Sequence, residues 1–172
     1  MKILYAATIA CLMASLSGCG GSVAGGGGGG GGPIGGPSNL TESEIAALPL
    51  TTSMPGSGTS NYAGRVAFHG MSIDSTDAVG DLNMTATFDG PGGNLTTTVT
   101  NVVNPTTAYP LAYGNFTDNG TGLIAGNKIQ TSLTGTINSS VVSVFLVGNF
   151  KGDQAEAVYG NNSSATFFGN RQ

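Results

Sequence analysis

The sequence predicts an all-β fold, an antiparallel, eight-stranded, soluble β-barrel preceded by a disordered glycine-rich linker. Over residues 62–172, apolar residues alternate with Thr, Asn, Ser and Asp, as in strands with one buried and one solvent-facing side. Clusters of Gly, Pro, Asn and Asp separate these runs and mark turns. About eight strands with short loops close most simply into a barrel, which removes exposed edges. A two-sheet β-sandwich is the alternative.

The N-terminus has the features of an export signal. A lysine precedes Ile3–Ala14, an apolar run too short to span a bilayer as a permanent helix. The run ends in Leu16, Ser17, Gly18 and Cys19, which resemble the lipobox of bacterial lipoproteins. The resemblance implies that signal peptidase recognises Leu16, Ser17 and Gly18 and removes residues 1–18. Cys19 would then carry diacylglycerol and palmitate; the alternative is an ordinary signal peptide with an incidental cysteine.

The cysteines also bear on location. Cys11 and Cys19 are the two cysteines of the chain, so residues 20–172 contain neither a disulfide framework nor a thiolate metal site. Gly20, rather than aspartate, follows Cys19, which is similar to lipoproteins sorted to the outer membrane. We therefore expect a lipid-anchored protein of the bacterial outer membrane, on either the cell-surface or the periplasmic face.

Residues 19–61 are predicted to be a flexible linker. Gly25–Gly32 and the following Pro and Gly residues cannot bury enough apolar surface to fold alone. A flexible linker of roughly forty residues reaches about 35 Å. Within it, Thr41–Glu44 forms a capping-box pattern before an apolar run that ends at Pro49, predicting a short helix over 42–48. This helix either plugs one end of the barrel or stays mobile.

The barrel, over 62–172, is predicted from strands that share the same alternation. One strand, 141–150, is apolar on both faces, so its outer face should be covered or lie deep in the sheet. The faces of the other strands that point away from the core are polar and lack the apolar band of a membrane barrel. The residues predicted to face the core are Tyr62, Gly64, Val66, Phe68, Leu82, Met84, Ala86, Phe88, Leu95, Thr97, Val99, Val103, Ile129, Leu133 and Ile137.

Two stretches carry a family resemblance. Gly120–Asn127 resembles the glycine-rich hairpin of the transferrin-binding protein B-like β-barrel family, and Phe150–Gly160 followed by Phe167–Gly169 is similar to its closing signature. Ala157 and Tyr159 depart from the family pattern, and there is one barrel without a second lobe or handle domains. The resemblance implies the barrel fold and the surface-lipoprotein class, without transferrin as ligand. Independently of it, residues 154–157 could form one helical turn near the barrel rim.

Candidate ligand-binding residues are His69, Tyr109 and Tyr113. His69 is the single histidine and falls on the polar side of its strand, where Phe68–Met71 suggests either a haem ligand or an exposed strand end. Tyr109 and Tyr113 flank Pro110 and are either anchors for a partner or aromatic packing across the barrel mouth. Haem is the one cofactor that these residues suggest.

Other functions are excluded or disfavoured. A net charge of −4 without a basic run argues against nucleic-acid binding. Asp74, Asp77 and Asp81 do not have EF-hand spacing, so no metal site is predicted. No catalytic or cofactor motif is evident, and we expect no enzymatic activity; an enzyme would need a cleft that holds His69 with a carboxylate.

The expected function is therefore binding of a protein or small solute, with iron or haem as candidates, through the barrel loops. The alternative is a structural or scaffolding envelope lipoprotein in the periplasm. Binding predicts an exposed apolar or aromatic patch near Tyr109–Tyr113 or Ile73–Val79, whereas scaffolding predicts uniformly polar loops.

Overall fold

The computed structural model describes residues 39–71, 76–105, 113–120 and 122–172. The predicted signal peptide, the lipobox with Cys19 and the glycine run lie outside this part, as do Ile73, Asp74 and Tyr109. The elements are α1 (Glu42–Ala47), β1 (Ser57–Phe68), β2 (Ala78–Asp89), β3 (Gly92–Val103), β4 (Phe116–Asp118), β5 (Gly122–Ala125), β6 (Lys128–Ile137), β7 (Ser140–Lys151), β8 (Ala157–Asn161) and β9 (Ala165–Arg171). In the described part of the chain, no helix is long and apolar enough to cross a membrane.

The strands form one closed antiparallel barrel. Apart from β4 and β5, which do not pair with each other, consecutive strands pair along the chain, and β9 returns to pair with β1. β4 and β5 both lie between β3 and β6, so they are two halves of one interrupted strand. The barrel therefore has eight strand positions, as predicted, and the β-sandwich alternative is wrong.

Aromatic side chains fill the barrel interior. The ring centroids of Phe68 and Phe116 are 4.9 Å apart. Phe150 lies 5.7 Å from the Tyr62 ring and 5.4 Å from that of Phe88. This agrees with the geometry of eight-stranded barrels, whose interior is just wide enough for side chains. The predicted inward faces of β1, β2 and β6 are confirmed by the burial of Tyr62, Val66, Phe68, Leu82, Met84, Ala86, Phe88, Ile129 and Leu133.

The alternation fails at the end of β3. Val103, predicted to face the core, is 52% exposed, and Val102 is buried in its place. The β2–β3 register shifts between Val79 and Asp81, and Asn101 has a φ of 52°. A bulge adds one residue to a strand and therefore exchanges its inner and outer faces.

The sequence predicted that the outer face of β7 is covered, but in the structure this face is exposed. Val141, Phe145 and Val147 are 74%, 48% and 40% exposed, while Val144, Leu146 and Phe150 on the same strand are buried in the core. β7 is thus a strand with one buried face and an apolar but exposed outer face. The prediction that its outside is covered was wrong for the described residues.

The predicted helix forms as α1 but does not plug the barrel. The side chains of β8 alternate, with Val158 in the core and Ala157 on the outer wall. α1 contacts β8 and β9 and buries Ile45 there completely. The Lys151 ammonium donates hydrogen bonds to the carbonyl oxygens of Ala46 and Leu48, at 3.1 and 3.0 Å. The helix is therefore held against the outer wall.

The segment after α1 covers one end of the barrel, and the predicted linker is correspondingly shorter. The Thr51 amide donates to the Phe150 carbonyl at 3.1 Å, and the Gly90 amide donates to the Gly56 carbonyl at 2.8 Å. Between these two anchors, Met54 packs against the core. β1 begins at Ser57, so residues 39–61 are part of the folded unit and not free linker.

The connection between β7 and β8 is a left-handed turn and not the predicted helical turn at 154–157. Gly152, Gln154 and Ala155 have φ angles of 72°, 52° and 60°. Two buried side chains hold the turn from inside the barrel. Arg171 Nη1 donates to the Gln154 carbonyl at 2.7 Å, and the Tyr62 hydroxyl donates to the Ala155 carbonyl at 2.7 Å.

Tyr62 gives the barrel a specific alkaline sensitivity. Burial raises the pKa of the Tyr62 hydroxyl above its ordinary value of 10.0, so the folded state prefers the neutral phenol. The stability that comes from keeping Tyr62 neutral is complete below the pKa of the unfolded state. It is lost as the pH rises from the unfolded towards the folded pKa, because only the unfolded state then releases the proton. We expect Tyr62→Phe to lower the free energy of unfolding at neutral pH by about 1 kcal/mol, because the hydrogen bond to Ala155 is lost.

At alkaline pH, Tyr62→Phe should lose less stability than the wild type, because it lacks the buried phenol. Urea unfolding from about pH 8 to about pH 11 measures both effects, since unperturbed tyrosine titrates near pH 10. Tyr159→Phe is the matched control, because Tyr159 lies half-buried on the outer wall. An equally steep alkaline loss of stability in the wild type and in Tyr62→Phe would contradict the assignment.

Candidate functional site

The described residues form a cleft on the outer wall of the barrel, where β1, β2 and β9 lie side by side. Its volume is about 330 Å³, and α1 contributes Glu42 to one side. Polar and apolar side chains share the lining, which includes Arg65, His69, Asp77, Val79, Thr166 and Phe168. A small volume with a few convergent polar groups is typical of a small-molecule site.

Strand register brings the polar residues of the cleft together. Phe68 at the end of β1 pairs with Ala78 at the start of β2, which places His69 beside Asp77. Ala67 pairs with Thr166 across the β1–β9 seam. Because Phe68 and Phe167 point into the core, the neighbouring His69 and Thr166 point outward. The His69 amide also donates to the Ser164 carbonyl at 2.9 Å.

His69 contacts a carboxylate on one side and a hydroxyl on the other. Its Nδ1 lies 3.0 Å from Asp77 Oδ2, and its Nε2 lies 3.0 Å from Thr166 Oγ1. Asp77 is itself oriented by the Gly70 amide, which donates to Oδ1 at 3.3 Å. The carboxylate accepts, so Nδ1 carries a proton, and in the neutral ring Nε2 accepts the Thr166 proton. The imidazole is one-third exposed, so the group faces solvent.

Arg65 places a positive charge in the same cleft. Its Nη1 lies 4.0 Å from Asp81 Oδ1, and both side chains are about half exposed, at 57% and 46%. An exposed ion pair at this distance is weak. Asp81 also accepts a hydrogen bond from the Asn101 side chain at 2.8 Å. The guanidinium has five donors, so this long contact leaves it able to bind an anionic oxygen.

The residues around His69 do not fit haem. Both ring nitrogens already have partners, so an iron ligand would have to displace Asp77 or Thr166. Met71, the other candidate of that stretch, packs against the core. Across residues 39–71, 76–105, 113–120 and 122–172, no group of three His, Cys, Asp or Glu side chains is placed to hold a metal ion.

The aromatic candidates lie elsewhere. Tyr113 forms an isolated bridge with Ile137, packs against the core and has a buried hydroxyl, while Tyr109 lies outside the described residues. Among the described residues, one exposed apolar side chain, Val103, pairs with Val79 at the edge of the predicted patch, and most of the others lie on the barrel wall. Those on β5 and β7 are Leu123, Val141, Phe145 and Val147.

Comparison with protein-family models and with curated proteins found no match for this chain. Of the residues in the cleft, the sequence analysis named His69 as a candidate but did not connect it with Asp77 or Thr166. Asp77 precedes a strand, and Thr166 alternates with apolar residues. Without the strand pairing, neither pattern indicates that these residues lie beside His69.

Proposed function

We propose that this chain is an exported lipoprotein, held in the bacterial outer membrane by acyl chains on Cys19, whose barrel binds a protein or small solute. The observation that carries the proposal is a lipobox-like sequence ahead of a closed barrel whose interior is filled with side chains. A filled barrel offers its wall and loops to a ligand and not its lumen. The similarity to the transferrin-binding protein B-like family supports the same class.

The length of chain between the anchor and the barrel supports a tether. Leu40 is fixed to β9, because its amide donates to the Asn170 side-chain oxygen at 2.9 Å and its carbonyl accepts from the Asn170 amide group at 2.7 Å. About twenty residues therefore separate Cys19 from the folded unit, half of the predicted linker. A glycine-rich chain of that length reaches about 25 Å.

The exposed apolar side chains support binding over a scaffolding role. Phe145 and Val147 alternate along the outer face of β7. Leu123 lies across β6 from Val147, because Gln130 pairs with both residues. Three exposed apolar side chains on two strands that flank β6 are suited to contact with a protein partner. A scaffolding lipoprotein in the periplasm is the alternative.

Anchoring is tested by metabolic labelling of Gram-negative cells with an alkyne analogue of palmitate. We expect the wild-type protein to be labelled and to fractionate with membranes, and Cys19→Ala to lose the label completely, because its thiol and new N-terminus are the acylation sites. Cys11→Ala is the matched control and should keep full labelling. Label that persists in Cys19→Ala would overturn the lipid anchor.

The face of the membrane is tested by protease treatment of intact cells that express the chain with a C-terminal epitope tag. Loss of the tag from intact cells would support the cell surface and a partner outside the cell. Protection until lysis would contradict a surface receptor and favour the periplasmic scaffold. A tagged periplasmic protein serves as the control for cell integrity.

A further inference from the structure

We propose that the His69 cleft hydrolyses small carboxylic esters, with Thr166 as the nucleophile, His69 as the general base and Asp77 as the group that orients His69. This activity goes beyond the binding role and departs from the expectation of no enzymatic activity. It is independent of the lipid anchor, so the failure of either proposal leaves the other standing.

The order of the three groups carries the inference. A carboxylate on Nδ1 holds the proton there and leaves Nε2 as the acceptor for a hydroxyl proton. The structure places the three groups in this order, with 3.0 Å on each side of the His69 ring. These distances lie within the range for proton transfer between a nucleophile and its base. In the neutral ring with the proton on Nδ1, Nε2 accepts the proton of Thr166, and the lone pairs of Oγ1 are then free to attack a ligand in the cleft.

The cleft supplies the other requirements of acyl transfer. Val79 and Phe168 give it an apolar side suited to a short acyl chain. Arg65 lines the same cleft, and its side chain is more than half exposed. In the reaction it would donate hydrogen bonds to the oxyanion that forms on the substrate carbonyl. The volume of about 330 Å³ is enough for a small ester.

The reaction is a two-step transfer that balances. Thr166 Oγ1 forms a bond to the carbonyl carbon while its proton moves to His69 Nε2. The C–O bond to the leaving group then breaks, and the alcohol departs with that proton, leaving an acyl-threonine ester. Water attacks this ester, gives one proton to His69 and releases the carboxylic acid, and the proton returns to Thr166 Oγ1. No oxidant, reductant or cofactor takes part.

The test uses the full chain in detergent with p-nitrophenyl acetate as the probe. We expect turnover above the buffer rate in the wild type, loss to the buffer rate in His69→Gln, and a fall in Thr166→Val to the low rate that the retained His69 imidazole gives alone. Thr166→Ser should retain turnover, because it keeps the hydroxyl. Thr87→Val makes the same change on an exposed residue of β2 and should leave the rate unchanged.

Thr166→Val is the deciding variant, because a free imidazole also hydrolyses this probe and His69 is retained in it. Val fills the space of Thr, and equal urea midpoints for the two proteins would show that the barrel is intact. Turnover in a folded Thr166→Val equal to the wild-type rate would overturn the proposal, as would a wild type no faster than buffer.

Mass spectrometry gives an independent readout. After a brief reaction and acid quenching, one acetyl group is expected on Thr166, within the tryptic peptide 152–171. His69→Gln should leave this peptide unmodified, because the base that activates the hydroxyl is gone. An acetyl group carried on His69 alone would contradict Thr166 as the nucleophile.

Discussion

Gly64→Ala is expected to destabilise the barrel by about 3 kcal/mol, because it overpacks the closing seam. A Cβ at position 64 would overlap the Phe168 carbonyl oxygen and lie 2.6 Å from Gly169 Cα. Both atoms are backbone of β9, the partner of β1. They can move aside only if the two strands separate, and this seam is what converts the sheet into a closed barrel.

Gly56→Ala is the matched control for this prediction. Its added Cβ meets no atom within 4 Å, and its φ lies outside the left-handed region. We expect its free energy of unfolding to change by at most about 0.5 kcal/mol. Urea unfolding followed by far-UV circular dichroism measures both variants at one protein concentration. Equal unfolding midpoints for Gly64→Ala and the wild type would mean that β1 and β9 are not in close contact there.

The sequence predicted the strands where side-chain alternation alone decides which face is buried. β2 is the clearest case, since Leu82, Met84, Ala86 and Phe88 all lie in the core as expected. The prediction failed at Val103, because one left-handed residue, Asn101, exchanges the two faces of the strand. Asparagine adopts this conformation more readily than most residues, but its presence in a strand does not show that it will. Local pattern therefore identified the strand but not its bulge.

Tertiary contacts decide the features that the sequence left open. The capping box specified α1, and its position on the outer wall depends on Lys151 and Asn170, more than one hundred residues away. Likewise, Gln154 and Ala155 are compatible with a helical turn by propensity. They take left-handed conformations because Arg171 and Tyr62 hold their carbonyl groups inside the barrel. Propensity is weak against two buried hydrogen bonds.

The sequence predicted only part of the candidate site, because tertiary contacts bring its residues together. His69 stood out as the single histidine, and its outward direction followed from the alternation of β1. Thr166 is 97 residues away and reaches His69 only because β9 pairs with β1 in one particular register. A shift of that register by one residue would turn Thr166 into the core. The cleft is thus a consequence of barrel closure, which also makes Gly64 important to it.

Phe150→Ala is expected to destabilise the protein by about 4 kcal/mol, because it removes a fully buried ring from the centre of the core. The ring packs against Tyr62 and Phe88, and the backbone of the same residue pairs with Thr51 and Asn127 at the covered barrel end. The cavity would lie among side chains on several strands that barrel closure fixes in place. Little relaxation can therefore fill it.

Phe145→Ala tests whether the outer face of β7 is covered, as the sequence predicted, or exposed, as in the structure. If a partner element of the same chain covered the outer face, as its apolar sequence suggested, Phe145→Ala would cost nearly as much as Phe150→Ala. Because Phe145 is 48% exposed, we expect a cost of about 1 kcal/mol, measured by urea unfolding of the purified full chain. A cost near 4 kcal/mol would show that the wall is covered in the isolated protein. A small cost leaves Phe145 available to a partner, because its ring then contributes little to folding and stays accessible on the surface.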